Sequence, residues 1–324
     1  MRSLHPIDLF IIILVLGATL YLGLRFARKQ ATTEQFFLSK GNFPGWALGM
    51  SLLSTLISSV TFLGYPAQGF TSNWLLLVQG LMVPIVLVFA IGYIVPLYRR
   101  TIGLSTYEYF EKRFGPFARY YSSSSFVLRQ FAGMGTVLFL IAAAICSLSA
   151  DLNSMAAVGI EDYYKQFRKG KADGEYLRAS KIFVFVSGLL SMGVAAIYLR
   201  AGNEGVLGII FTVYAIFSGG IVGIFLLGLF SRRVNTKGIN IGIVACILFT
   251  SYAFLTSTPV GLPGEERLLL DLGSLNFTHH KLMLGVYSHL VLMVVGYVSS
   301  LFFPFVPPDE NLVYVNRKGK GQKQ

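Results

Sequence analysis

Six hydroxyl side chains crowd one apolar segment: Ser51, Ser54, Thr55, Ser58, Ser59 and Thr61 all fall within residues 45–64. A second set, Ala143, Cys146, Ser147, Ala150, Asp151 and Ser154, recurs at i, i+3, i+4, i+7, i+8 and i+11, a small and polar stripe on one helical face. Holding a cation inside lipid takes oxygen ligands at mid-membrane, and an unwound helix releases backbone carbonyls for that purpose. Gly64 and Pro66 end the first segment as helix breakers, so it is expected to be such a helix. Small residues in membrane helices also serve simply to let backbones approach, and for any single serine that is the commoner role. Two stripes and a broken helix together favour a site. Asp151 differs, because an intramembrane carboxylate is expensive and by default functional, although close to a helix end it can reach water. Gln79, alone in an apolar segment, either faces a cavity or bonds to a neighbouring helix, and His289 is expected as an interhelical partner. No Walker A sequence, metal-ligand spacing or nucleophile elbow occurs, so neither ATP-driven pumping nor enzymatic hydrolysis finds support.

The elements that must position these groups follow from composition. Of 324 residues, 54% are hydrophobic and 13% charged, against about 25% charged in soluble domains. Apolar runs of membrane-spanning length recur at 7–24, 45–64, 74–98, 182–199, 205–229, 238–255 and 282–303. The chain is therefore read as an all-α polytopic membrane protein, a single transmembrane domain over 1–324. The net charge of +12 gathers in RFARK, YRR, EKRFGPFAR, KQFRKGK and SRRVNTK. Under the positive-inside rule these loops are cytoplasmic, and nucleic acid is not an expected partner. Cys146 and Cys246 each sit in an apolar run, which argues against a disulfide framework. Trp46 and Trp74 suit an interfacial belt. STYEYFEKRFGPFARYY, over residues 105–121, reads as an amphipathic surface segment.

One stretch breaks the pattern. Residues 126–160 form an apolar run with basic flanks on both sides, nearly twice the roughly 20 residues that one crossing requires. Counting it as two crossings brings the total to about eight to nine and puts every basic loop on one face. The N-terminus is then outside, the C-terminus cytoplasmic, and residues 304–324 a cytoplasmic tail ending in RKGKGQKQ. The loop 257–280, with the glycosylation acceptor Asn276-Phe277-Thr278, falls outside.

Several segments resemble the sodium:solute symporter family, which includes sodium-coupled glucose, proline, pantothenate and sialic acid transporters. TTEQFFLSKGNFPGWALGMSLLSTLISSVTFLGYPAQGF is similar to that family's first core helix and the loop before it. GLSTYEYFEKRFG resembles its cytoplasmic signature, SLSADLNSMAAVGIEDYYKQF its sodium-site helix, and GIFLLGLFSRRVNTKG a later core helix and loop. The resemblance implies a LeuT-like inverted repeat of helices and sodium-coupled symport of a small organic solute. It implies sodium ligands at Ser54 and Ile57 through their carbonyls, at Ala143 through its carbonyl, and at Cys146 and Ser147. Cys146 stands where the family usually has a hydroxyl, and a thiol is a poor ligand for a hard cation. Substrate contacts would fall on Leu56, Thr61 and, more loosely, Gln79; neither Leu56 nor Thr61 is what a sugar binder would have. Sodium is the implied coupling ion, no other cofactor is expected, and the plasma membrane is the expected location. Full family members carry further helices between GTVLFL and IAAAICS, so an internal deletion is read near 140–141, leaving the bundle incomplete. The alternative reading is a non-transporting truncated or regulatory membrane protein, a splice or gene-model product. The missing helices predict no saturable sodium-dependent flux from the purified chain.

Overall fold

The computed structural model describes residues 6–27, 32, 44–56, 65–71, 74–96, 105–139, 144–200, 219–260, 267–279 and 281–314. The first helices are α1 (Pro6–Ala27), α2 (Gly45–Leu56), α3 (Tyr65–Thr71) and α4 (Leu75–Phe89), the last running on through a π-helical turn, Ala90–Ile94. Then come α5 (Thr106–Phe114), α6 (Pro116–Phe139) and α7 (Ala144–Val158). A second π-helical turn, Gly159–Tyr164, continues α7. The rest are α8 (Asp173–Arg200), α9 (Ile221–Phe230), α10 (Thr236–Ser257) and α11 (Lys281–Leu301). A two-residue antiparallel ladder pairs Pro259–Val260 with Arg267–Leu268 in the loop after α10. Pro66, expected as the end of the hydroxyl-rich helix, sits in the first turn of α3, where its missing N–H costs nothing.

The over-long stretch is two helices. α6 and α7 pack side by side, and α8 packs against both; the seam at 140–141 lies outside the described residues. Among the described residues, three helical segments are long and apolar enough to cross a membrane: Asp173–Ala196, Thr236–Ser257 and Met283–Leu301. Shorter apolar helices lie at Ile13–Arg25, Gly80–Ile94 and Ile221–Phe230. Leu81, Val86, Val88 and Ile91 on α4 are all exposed, which suits a helix bathed in hydrocarbon rather than water.

Among the described residues, the larger of the two buried apolar clusters forms around α5. Tyr109, Phe110 and Phe114 of α5 are fully buried, packed with Ile224, Phe225 and Leu229 of α9, Ile239 and Ile243 of α10, and Leu312. The segment 105–121 is thus corrected: its apolar face is covered by protein and does not lie on a lipid surface. The reason is that α9 presents apolar side chains on all sides and the chain after α11 folds back over α5. Ser105 caps α5 by accepting from the N–H of Tyr107. Gly115 ends the helix at φ 87°, a conformation that a side chain would resist. The remainder of that segment, from Pro116, is the start of α6.

The first part of the expected tail packs against the helices. Tyr109 donates its hydroxyl to Leu312 O at 2.8 Å, and the Tyr314 N–H donates to Leu229 O at 2.8 Å. The Tyr314 ring meets Tyr93 and Phe230. Residues 304–314 are a strap across the helix ends; 315–324 lie outside the described residues.

SRRVNTKG works as a joint. Arg233 donates to Leu301 O and Phe303 O, both at 3.0 Å, satisfying the C-terminal end of α11. Asn235 caps α10 by accepting from Gly238 N–H at 2.9 Å and reaches Ser300 O with its amide. Asn235→Ala is expected to cost about 0.5–2 kcal/mol, the range for a lost cap, read as a lower thermal midpoint of the purified chain.

Candidate functional site

The helices that carry the expected cation ligands are neighbours. Ser54 and Leu56 occupy the last turn of α2, Cys146 and Ser147 the first turn of α7, and α2 packs against α7. Gln79 lies in the N-terminal half of α4. Ile57, Thr61 and Ala143 lie outside the described residues.

Further along the polar stripe, the structure describes side chains. Asp151 interacts with Gln130 and Arg129 of α6, and Gln130 is buried. Asp151 therefore has partners on the adjoining helix and is not left to reach water alone. Ser154, on the same stripe, is exposed and bonds back to Asp151 O at 3.0 Å. Five buried hydroxyls likewise bond back within their own helix: Ser123, Ser180, Ser191, Thr250 and Ser300 each donate to the carbonyl four residues earlier. Such groups satisfy themselves within their own helix and need no ligand. His289 follows suit, with Nδ1 2.6 Å from Gly285 O of its own helix, so the expected interhelical bond is not the one made.

Beside the far end of α7 lies a polar knot that no single motif announced. Arg119 of α6 donates through Nε to Asp162 at 2.7 Å and through Nη2 to Glu161 O at 2.9 Å, while Nη1 pairs with Glu111 of α5. The Ser105 hydroxyl lies 2.7 Å and 2.9 Å from the two Asp162 oxygens and donates to them. Asp162 is fully buried, and burial leaves its carboxyl above the ordinary value even with Ser105 and Arg119 pulling it down. For Arg119, burial works to lower the guanidinium, and Glu111 and Asp162 more than reverse that, leaving it raised. The knot ties α5, α6 and the π turn after α7 into one unit. The signal was present as GLSTYEYFEKRFG and GIEDYYKQF in separate parts of the chain, but nothing in either says that they meet.

The family model for "Sodium:solute symporter family" matches residues 36–139 and 129–245, which together run through most of the chain. The chain belongs to the sodium:solute symporter family. Among its relatives, the sodium/sialic acid symporter NanT of Aliivibrio fischeri is 33% identical over 144 residues, 44% of this chain and 28% of NanT. The sodium/sialic acid symporter SiaT of Proteus mirabilis is 32% identical over 130 residues, 40% of this chain and 26% of SiaT. The chain thus spans about a quarter of the length of these curated relatives. A solved structure of a Na+-coupled sialic acid symporter in a substrate-bound outward-open state superposes with a TM-score of 0.76. It is 17% identical, with 95% of this chain and 99% of that one covered. The likeness shows the family's LeuT-like all-α fold. As a symporter-family member the chain is an integral membrane protein. The two family matches overlap over residues 129–139, the C-terminal part of α6.

Proposed function

We propose that this chain serves sodium-coupled symport of a small organic solute across a membrane, with sodium held between α2 and α7. The observation that carries the reading is the packing of the Ser54 helix on the Ser147 helix, two helices distant in sequence that the family's sodium chemistry requires side by side. On this reading Ser54, Ile57 and Ala143 contribute carbonyl oxygens, and Ser147 a hydroxyl. Cys146 contributes little to a hard cation. Sodium then draws the two helices together and shapes a solute pocket bounded by Leu56, Thr61 and Gln79, and rocking of the bundle exposes that pocket to each side in turn. Sialic acid is the first solute to test, because relatives named for it match this chain. The plasma membrane, an external N-terminus and a cytoplasmic C-terminus complete the reading, supported by the clustering of basic loops.

Sodium is expected to raise the thermal midpoint of the purified chain relative to potassium at equal ionic strength, and Ser147→Ala to abolish that shift. Equal midpoints in the two salts for the unaltered chain would remove the site. The second reading, a non-transporting truncated or regulatory protein, is favoured by the two-piece family match and by the short share of each relative's length. Uptake into proteoliposomes separates the two. Saturable sodium-dependent flux, lost in Ser147→Ala, assigns transport to these 324 residues. Sodium-dependent stabilisation without flux, the expectation that an internal deletion carries, assigns the second reading.

A further inference from the structure

Away from α2 and α7, between α5, the start of α10 and the strap, lies a cavity of about 460 Å³. Lys112, Arg113, Thr236, Lys237, Phe303 and Asp309 are among its lining residues. Three of these are cations and one is a carboxylate, and Lys112 also pairs with Glu108 of its own helix at 2.7 Å. Asp309 is partly engaged already, since its Oδ1 accepts from the Asn311 N–H at 2.9 Å.

Arg113 is the informative member. Its side chain is 92% withdrawn from solvent, at 8% exposure, and Nη2 is spent on Ser231 O at 2.9 Å and Val234 O at 3.0 Å. Its Nε has no acceptor, and among the described residues no carboxylate comes within ion-pair distance. A buried charge without a counter-charge is costly, and burial accordingly pushes this guanidinium down from its ordinary value. The carbonyls past α9 offset only part of that charge. Arg119, the other buried cation among the described residues, has both Glu111 and Asp162.

The same cavity receives the N-terminus of α10, a helix of 22 residues. Its cap, Asn235, accepts from the Gly238 N–H, and Asn235, Thr236 and Lys237 line the cavity, so the positive end of the helix dipole adjoins the cleft. Lys237, exposed, extends over the Phe303 ring at 5.4 Å and pairs with no carboxylate among the described residues. Phe303, Pro304 and Val306 make one wall apolar, just past the end of a membrane-spanning helix. Cationic donors from two elements, helix N–H groups and an apolar wall together match a tetrahedral oxyanion carried on an apolar body better than a flat carboxylate.

We propose that this cleft binds a phosphate group, either as a free phosphate monoester or as the headgroup of an anionic phospholipid at the same membrane face. Lys112 and Lys237 bracket the anion, α10 supplies backbone N–H groups, and Arg113 supplies the buried counter-charge. Binding there clamps α5 to α10 and the strap.

The test uses the full chain, purified in detergent, with thermal midpoint as the readout. Potassium phosphate is titrated against potassium chloride at matched ionic strength, which keeps sodium out of the comparison. Dioctanoyl phosphatidate is titrated against dioctanoyl phosphatidylcholine in parallel. A stabilisation that saturates is expected in at least one of these pairs. Phosphate alone active assigns a free monoester, phosphatidate alone active assigns the lipid headgroup, and both active assign either source. Lys112→Gln/Lys237→Gln is expected to weaken the active ligand by about tenfold, the effect of losing charge-assisted contacts. Lys169→Gln/Arg232→Gln, which removes equal charge outside the cavity, is expected to leave it unchanged. No saturating shift from either ligand, or equal weakening in the two double variants, overturns the proposal.

Discussion

Arg119→Ala is expected to destabilise the folded chain by about 3–5 kcal/mol, the range for removing one partner of a buried ion pair. The residue left behind is the reason. Asp162 is fully buried and accepts from Arg119 and Ser105, so deletion of the guanidinium strands a carboxylate where water does not reach. Glu161 O also loses its donor. Asp162→Ala strands the guanidinium less completely, because Glu111 still holds Nη1, and its cost is expected to be smaller. The double variant should cost less than the sum of the two, since the second change removes a group that the first had already orphaned. Arg119→Lys keeps the charge but not the fork that serves three acceptors at once, and is expected to fall between Arg119→Ala and the unaltered chain. Thermal unfolding of the four purified variants in one detergent measures this. Strict additivity of the two single changes, or an Arg119→Ala midpoint equal to the unaltered chain's, would show that the knot contributes nothing to stability.

The second large effect is steric. A Cβ at Gly238 would sit 1.9 Å from Ser300 Oγ and 2.7 Å from Gly296 O; one at Gly242 would sit 2.9 Å from Leu292 O and 3.0 Å from Gly296 Cα. Ser300 Oγ could swing aside, but backbone atoms of α11 cannot, so the two helices would have to part. Gly238→Ala is expected to cost about 3 kcal/mol, at the upper part of the usual overpacking range. It would also disturb the Asn235 cap, because the Gly238 N–H is the group that Asn235 holds. Gly285, on α11 with open space around it, provides the contrast: Gly285→Ala is expected to stabilise by about 0.5–1 kcal/mol through helix propensity alone. Midpoints that fall for Gly238→Ala and rise or hold for Gly285→Ala are the expected pair. A neutral Gly238→Ala would mean that α10 and α11 do not cross this closely.

These two sites mark the boundary between what could be read along the chain and what could not. Hydropathy and charge placement were enough to identify an all-α membrane protein, because the cost of burying backbone polar groups in lipid leaves helices as the simplest solution; its family was legible only in the resemblance of a few motifs. They also showed that residues 126–160 are too long for one helix, and the chain indeed breaks into α6 and α7 there. Motif resemblance pointed to α2 and α7 as partners, and the two do pack together. Periodicity misled at 105–121. An amphipathic helix has the same pattern whether its apolar face meets lipid or protein, and only the position of α9 and the strap decided for protein.

The amino-acid order by itself determined which segments are helical, which ends are basic, and which helices bear hydroxyls, since each of those depends on neighbours within a turn or two. Tertiary structure alone decided that Ser105, Glu111, Arg119 and Asp162 share one polar knot, that Arg113 has no counter-charge among the described residues, and that residues 304–314 form a strap over α5. The physical reason is separation along the chain. Ser105 and Asp162 are 57 residues apart and Tyr109 and Leu312 are 203 apart. No local propensity carries information over such distances; packing of the intervening helices does.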